Sequence, residues 1–293
     1  MPSLDDLKKR IKSVKSTQKI TKAMKMVAAA KLRKAQESAE KGRPYSQKMQ
    51  NIILNLTKSI NDPKNAPKLL VGTGEDKKYL CVVLTADRGL CGGFNSNICK
   101  LAKNNFKKIL SRGKDLKIIT VGSKGFDQIR REYGKYVIKK FSFKEKKQIT
   151  FEEANIVGNE IISLFNQNEF DKCILFFNNF KNVITQIPQA QQIIPTEVNK
   201  NYDESEEKKF SYEFEPEEDQ ILEDLLPKNI STQVFKALLE NAASEQGSRM
   251  TAMDNATRNA GDLVDKLTIN YNRSRQASIT KELIEIISGA ESL

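Results

Sequence analysis

The stretch from Pro227 to Leu293 constrains the fold most, because no proline follows Pro227 and glycine occurs only at Gly247, Gly261 and Gly289. Alternate steps of four and three residues select one stripe: Leu239, Ala243, Gln246, Met250, Met253, Thr257, Ala260, Val264, Leu267, Tyr271 and Ser274. A repeat of about 3.5 residues keeps such a stripe facing a partner helix. The stripe is rich in Ala, Ser and Thr, so a partner can lie close. We predict one long helix over residues 227–293.

The N-terminal region carries a matching pattern. Its four-three stripe comprises Leu4, Leu7, Ile11, Val14, Gln18, Thr21, Lys25, Ala28, Leu32, Ala35 and Ala39. Where Lys25 breaks this stripe, we expect a neighbouring one to take over, formed by Ile20, Met24 and Val27. Gly42-Arg43-Pro44 is expected to interrupt the helix, because proline lacks the backbone donor and clashes with the preceding turn. We predict a second long helix over residues 1–60.

The middle of the chain changes period. Residues 61–78 hold Pro63, Pro67, Gly72 and Gly74 and are predicted to be a linker. Residues 79–200 alternate apolar strands with helices, which is typical of a small parallel α/β domain of Rossmann-like type. After the last helix, Lys181–Ile187 and Gln192–Val198 both resemble strands, and one is expected to be an antiparallel edge. Residues 201–226 are predicted to be an acidic exposed loop.

The order of these segments favours one architecture. A helix at each end with a domain between them requires the chain to leave and return at the same place. We therefore predict an antiparallel coiled coil of the N- and C-terminal helices, with the α/β domain inserted between them. The fold class is α/β plus coiled coil.

Composition excludes several kinds of site. The chain has no histidine, and its four cysteines form no CxxC pair, so Cys/His zinc sites, Ser-His-Asp triads and Cys-His dyads are not expected. We expect reduced thiols that act as small buried apolar groups. No apolar run reaches the ~18–20 residues of a membrane span. No pair of carboxylates or activated nucleophile is marked out, so we predict a non-catalytic chain that needs no cofactor or metal.

Residues 86–95 form a glycine-rich turn between a strand and a helix, Ala-Asp-Arg-Gly-Leu-Cys-Gly-Gly-Phe-Asn. Such turns can hold phosphate on their backbone N–H groups. This one lacks both G-x-G-x-x-G and the Walker A Gly-Lys-Ser/Thr. We expect Gly89, Gly92 and Gly93 to let the chain turn tightly against the long helices, with a nucleotide-dependent enzyme as the alternative.

The net charge is +12, which raises the question of an anionic partner. Basic residues are dense on the first helix, at Lys8, Lys9, Arg10, Lys12, Lys15, Lys19, Lys22 and Lys25. They form either a solvated face or a contact with acidic partners. A nucleic-acid-binding coiled coil is the further alternative, and a steep salt dependence of DNA affinity would indicate it.

Three segments, in this order, carry a family resemblance: Gln18–Ala29 (QKITKAMKMVAA), Asp87–Gly93 (DRGLCGG) and Ser274–Ser292 (SRQASITKELIEIISGAES). They resemble the gamma subunit of F-type ATP synthase essentially from end to end. The resemblance implies a non-catalytic rotor in the central stalk, which transmits torque between the proton-driven c-ring and the catalytic head. It implies as partners the alpha and beta subunits, three of each, an epsilon-type subunit and the c-ring, with no nucleic acid.

The resemblance also implies contact residues. Arg275, Gln276, Thr280 and Glu282 match positions that meet a catch loop of one beta subunit. Met24 and Lys25 match the segment facing the lever region of beta. Tyr212 and Glu215, in Phe210–Pro216, resemble the contact with the c-ring.

Localisation follows from the same resemblance. Plastid gamma subunits carry an inserted dithiol segment, whereas Val198–Glu215 is short and has no cysteine. The chain starts at Met1 without a presequence. We therefore expect peripheral attachment to the cytoplasmic side of a bacterial inner membrane, with the matrix side of the mitochondrial inner membrane as the alternative.

Overall fold

The computed structural model describes residues 3–59, 67–146, 148–196 and 218–291. Its helices are α1 (Leu4–Ser59), α2 (Lys68–Val71), α3 (Phe94–Ser111), α4 (Ser123–Tyr133), α5 (Phe151–Asn166) and α6 (Glu218–Glu291). Its strands are β1 (Lys78–Leu84), β2 (Asp115–Val121), β3 (Val137–Phe141), β4 (Lys172–Phe180) and β5 (Gln186–Ile194). Among these residues, no helix has both the length and the apolar character that a membrane span requires.

The chain divides into two compact units, which we call the coiled-coil unit (residues 1–30 and 249–293) and the α/β unit (residues 31–248). In the coiled-coil unit, the hydroxyl oxygens of Thr21 and Thr257 lie 2.8 Å apart. The ammonium of Lys25 donates to Asp254 at 2.5 Å. A step forward along α1 thus matches a step back along α6, which confirms the predicted antiparallel coiled coil.

The expected shift of the helix contact to the neighbouring stripe of Ile20, Met24 and Val27 is wrong. Ile20 and Val27 are 57% and 55% exposed, so they do not replace Lys25 at the helix contact. The original stripe continues instead, because Lys25 finds a carboxylate partner in Asp254 and its neighbour Ala28 is buried. A polar residue can therefore occupy this seam without shifting it.

Neither expected helix boundary near a proline is correct. α1 continues through Gly42-Arg43-Pro44, and α6 begins at Glu218, so the end of the predicted acidic loop is helical. Proline in a helix interior costs about 3 kcal/mol. Around Pro227 this is offset by Leu222, Leu226 and Ile230, which are all at most 1% exposed, since a fully buried aliphatic side chain contributes roughly 2 kcal/mol.

The α/β unit contains one five-stranded sheet of order β3-β2-β1-β4-β5. β1 pairs in parallel with β2 and β4, β2 in parallel with β3, and β5 antiparallel with β4 at the edge. Both faces are covered, one by α3 and α4 and the other by α5 and residues 230–238 of α6. The Rossmann-like fold class is confirmed.

Two details of the middle differ from expectation. The two predicted last strands are one strand, β5, because Asn182 accepts hydrogen bonds from the N–H groups of Ile184 and Thr185 and forms the turn before it. Pro188 is tolerated because β5 is an edge strand. The predicted linker contains α2, and Asp171 accepts from the N–H groups of residues 77 and 78, so this end of the linker is anchored to the sheet.

Candidate functional site

A sheet of this order has a crevice where the order of the strands reverses, outside the carboxyl ends of β1 and β4. Ligands of this fold class bind in that crevice. Here α6 forms hydrogen bonds at the end of β4. Asn178 N–H donates to Asn241 at 3.2 Å, and Phe180 N–H donates to Glu240 at 3.1 Å. The Ser244 hydroxyl donates to the carbonyl of Asn178 at 3.2 Å. The chain's own helix thus covers this side of the crevice.

The same helix reaches the glycine-rich turn that follows β1. The Ser248 hydroxyl donates to the Cys91 carbonyl at 2.7 Å. Within the turn, the Asn95 side chain accepts from Ala86 N–H at 2.9 Å and donates to the Cys91 sulfur at 3.3 Å. α6 and the Asn95 side chain thus take up polar groups of the turn, which favours the structural role predicted for the turn over the nucleotide-dependent alternative.

Sequence reasoning missed this polar face, although a signal was present. Glu240, Ser244 and Ser248 follow one another at steps of four, which places them on one side of a helix. Glu240 and Ser244 directly follow Leu239 and Ala243 of the predicted stripe. A row of short polar residues along an otherwise buried helix indicates contact with strand ends, whose backbone groups need partners.

Asp87 is a second residue whose role the sequence did not reveal. One carboxylate oxygen accepts from the backbone N–H and the hydroxyl of Ser123 and from the hydroxyl of Ser142, each at 2.8 Å. The other accepts from Phe143 N–H at 3.0 Å. Burial raises the pKa of Asp87, but these hydrogen bonds outweigh it and hold the pKa below its ordinary value. Asp87 therefore ties the turn to the start of α4 and the end of β3.

The predicted lever contact consists of Met24 and Lys25, both half-buried in the coiled-coil unit. Lys25 forms an ion pair with Asp254, which also pairs with Arg258 at 2.9 Å. The hydrogen bond from Lys25 lowers the pKa of Asp254. Part of the positive charge of Lys25 is thus compensated within the chain, by a partner that the pairing of α1 with α6 places beside it.

This ion pair can be tested by reversing its charges. Lys25→Asp places two carboxylates in the seam, and we expect faster hydrogen exchange of the surrounding α1 amides. The double variant Lys25→Asp/Asp254→Lys should restore slow exchange. Lys22→Asp is the matched control, since Lys22 is exposed on the same helix. Equal effects of the two single variants would contradict a role for the pair in the coiled coil.

The predicted catch-loop residues lie on the C-terminal part of α6. Arg275, Gln276, Thr280 and Glu282 are all exposed, and the Thr280 hydroxyl donates to the carbonyl of Gln276 at 3.0 Å. At 1.5 Å per residue, Arg275 lies about 30 Å along the helix from Asp254, the partner of Lys25. The structure therefore places the four predicted catch-loop residues on one segment of α6, apart from the predicted lever residues; both roles stay predictions.

Tyr212 and Glu215, the predicted c-ring contact, lie outside the described residues. Their assignment stays a prediction from sequence.

Comparison with known proteins agrees with the family resemblance of the sequence along essentially the whole chain. The family described as ATP synthase matches residues 3–293. The ATP synthase gamma chain of Pelagibacter ubique is 70% identical over 100% of both chains, and that of Sinorhizobium fredii is 57% identical over 100% of both.

Solved structures agree as well. The central stalk and c-ring structure of Tetrahymena thermophila mitochondrial ATP synthase contains a chain with 26% identity and a TM-score of 0.58, covering 81% of this chain and 99% of that one. A rotor chain of Euglena gracilis mitochondrial ATP synthase has 18% identity and a TM-score of 0.63, and the match covers 94% of this chain and 98% of that one. This second likeness shows the fold alone.

Proposed function

Since this chain belongs to the ATP synthase gamma-chain family, and is therefore a non-catalytic subunit of the central stalk, we propose that its coiled-coil unit carries torque between a proton-driven c-ring and a head of three alpha and three beta subunits. The observation that supports this most is the antiparallel pairing of α1 with α6. Polar pairs hold its register, while basic and apolar side chains face outward, among them Met26 at 61% and Ile286 at 72% exposure.

The asymmetry of the coiled coil supports a coupling role. A ring of three chemically identical catalytic sites can hold three different affinities only if something asymmetric contacts each site differently. Two helices with one basic face supply such a contact, and rotation presents that face to each site in turn. The chemistry then belongs to the beta subunits, and this chain couples the sites to rotation.

We propose that the α/β unit is the foot of the rotor and contacts the c-ring and an epsilon-type subunit. The covered crevice fits this role, because a foot must hold the long helices and need not bind a nucleotide. The Tetrahymena structure is of a central stalk with a c-ring, which supports the partner. Tyr212 and Glu215 remain the proposed contact.

The chain is part of a membrane-associated complex, and we propose the cytoplasmic face of a bacterial inner membrane. Full-length identity of 70% with a bacterial chain, against 26% with a mitochondrial one, supports this choice over the mitochondrial matrix. Membrane fractions should retain the chain at physiological salt and release it when the head is stripped off. Recovery of the chain in the soluble fraction of gently lysed cells would contradict membrane attachment.

The torque proposal is tested by direct observation of rotation. Alpha and beta subunits immobilised on a surface would be assembled with this chain, which carries a bead on a cysteine introduced into an exposed position of the α/β unit. We expect ATP-driven rotation in one direction, in steps of a third of a turn. Assembly in a ratio of one to three to three with ATP hydrolysis but no rotation would contradict the proposal.

The lever contact is tested by Met24→Lys. An added ammonium beside Lys25 should strengthen attraction to an acidic lever and hinder its release, so that ATP hydrolysis persists while proton pumping per ATP falls several-fold. Inverted vesicles allow both quantities to be measured. Met24→Leu, which keeps an apolar side chain of similar volume, is the control. Unchanged pumping per ATP in Met24→Lys would remove Met24 from the contact.

The catch-loop contact is tested by Arg275→Ala with Gln276→Ala. Both side chains are exposed, so the fold should be unaffected while the ATP turnover of the assembled complex falls about tenfold, as for lost contacts that include a charged hydrogen bond. Arg273→Ala, an exposed arginine on the same helix, is the matched control. Turnover at the level of the unmodified complex would remove both residues from the site.

A further inference from the structure

An open groove of about 350 Å³ lies on the α/β unit between α3 and α4. It is distinct from the crevice at the carboxyl ends of β1 and β4, because none of the residues by which α6 covers that crevice lines the groove. Sites for small molecules measure about 300–1,000 Å³. The groove therefore has room for a ligand of modest size.

One face of α3 supplies the positive charge of the groove. Lys100, Lys103 and Lys107 all line it, and their steps of three and four residues place them in one row along the helix. At 1.5 Å per residue, the row is about 10 Å long. Lys100 and Lys107 are exposed and form no ion pair among the described residues. The charges of these two lysines are therefore free to meet an anion.

The ammonium in the middle of the row is held in place by α4. Lys103 donates to the Glu132 carboxylate at 2.6 Å, and the Lys103 side chain is only 25% exposed. Its charge also acts on Cys99 in the wall of the groove. Burial raises the pKa of the Cys99 thiol and the Lys103 ammonium partly opposes this, which leaves the pKa at about 11. The Lys103 ammonium thus lies at the groove rather than out in solvent.

The rest of the wall is rich in hydrogen-bond donors. Four uncharged side chains that can donate an N–H or O–H also line the groove: Ser96, Asn104, Gln128 and Tyr133. Among the described residues of the wall, Glu132 is the only carboxylate, and it already accepts from Lys103. Several cations and donors around one groove suit a ligand with many anionic oxygens, since hydrogen bonds to charged groups are the strong ones.

The length of the lysine row suits an extended anion. We propose that the groove binds the linked phosphate groups of a small soluble polyanion, a diphosphate or a triphosphate, along the row of Lys100, Lys103 and Lys107. The uncharged donors of the wall then complete the contacts of the phosphate oxygens.

The test measures binding of inorganic triphosphate to the full chain by isothermal titration calorimetry. We expect saturable binding. Lys100→Met and Lys107→Met should each weaken it about threefold to fivefold, the size of an exposed ion pair, and the double variant should weaken it roughly tenfold or more. Lys108→Met is the matched control, because Lys108 is exposed on the same helix but does not line the groove. It should leave the affinity unchanged.

A gain of affinity tests the role of Glu132. Glu132→Gln removes the negative charge of the wall and releases the Lys103 ammonium, so triphosphate should bind about threefold more tightly. Asp127→Asn removes a carboxylate from the same helix outside the groove and should change the affinity little.

Three results would overturn the proposal. One is the absence of saturable binding. Another is an equal loss of affinity in Lys107→Met and Lys108→Met, because the net charge alone would then attract the anion. The third is binding of the chain to phosphatidylglycerol vesicles without binding of free triphosphate, which would assign the lysine row to a lipid surface instead of a soluble ligand.

Discussion

Gly122→Ala is expected to destabilise the α/β unit by roughly 4 kcal/mol, the sum of backbone strain and overpacking. Gly122 follows β2 with a φ of 102°, and a Cβ there would lie 2.4 Å from the Thr85 carbonyl oxygen. That oxygen cannot move, because Thr85 N–H donates to Val121 at 2.8 Å and holds the ends of β1 and β2 together. Urea denaturation of the full chain, followed by circular dichroism and tyrosine fluorescence, measures the loss.

A double-mutant cycle separates backbone from side-chain crowding. A Cβ at Gly125 would lie 2.6 Å from the Thr85 hydroxyl rather than from its backbone. In a Thr85→Ala background, Gly125→Ala should therefore lose most of its cost. Gly122→Ala should lose only the part due to the Thr85 hydroxyl, which its Cβ would approach to 2.6 Å, and keep the part due to the backbone oxygen. Gly134→Ala, whose Cβ would meet nothing closer than 3.9 Å, should be nearly neutral. Complete rescue of Gly122→Ala by Thr85→Ala would contradict the assigned contact with the backbone oxygen.

The coiled coil was predictable from the sequence because its signal is periodic. The four-three stripe fixes which side of each helix is covered, and the stripe in Leu4–Ala28 and in Met253–Ser274 is buried or half-buried throughout. The deviation at Lys25 was not predictable from α1 alone. It depends on Asp254, a residue distant in sequence that only the paired register brings near.

The ends of the helices were not predictable, since local and tertiary energies oppose each other there. Pro44 and Pro227 each indicate a helix end when judged alone. Beyond Pro44, Met49 and Ile53 pack with Leu222 and Leu226 in one buried cluster. Their burial contributes more than the proline costs, and this balance is invisible until the partner segment is known.

The glycine-rich turn shows the same limit at the candidate site. Its sequence allowed a phosphate-binding or a purely structural turn. What decides between them is the polar face of Glu240, Ser244 and Ser248, which lies far along the chain and bonds to the end of β4 and to the turn itself. No local pattern in residues 86–95 carries that information.

Asp87→Ala should destabilise the α/β unit by about 3 kcal/mol, because it leaves the N–H groups of Ser123 and Phe143 without their charged acceptor. Asp87→Asn should cost about 2 kcal/mol, since one amide oxygen still accepts from Ser123 and Ser142 while the amide NH₂ faces the Phe143 N–H as a second donor. Urea denaturation at pH 7 measures both. Asp127→Asn is the matched control, because Asp127 forms an exposed ion pair with Lys124 on α4.

The pH dependence of this difference identifies the carboxylate itself. The pKa of Asp87 is lowered in the folded chain, against about 3.9 when unfolded. Its contribution is therefore fully present above the unfolded pKa and is lost as the pH falls through the folded pKa. The stability gap between the unmodified chain and Asp87→Asn should be constant above about pH 5 and shrink below about pH 4.

Glu153 also makes the chain acid-sensitive. Burial raises its pKa, but hydrogen bonds from Thr150 bring the pKa down to about 2. It is present in both proteins and cancels in the difference, so a gap that stays constant down to pH 3 would show that Asp87 is not ionised in its network of hydrogen bonds.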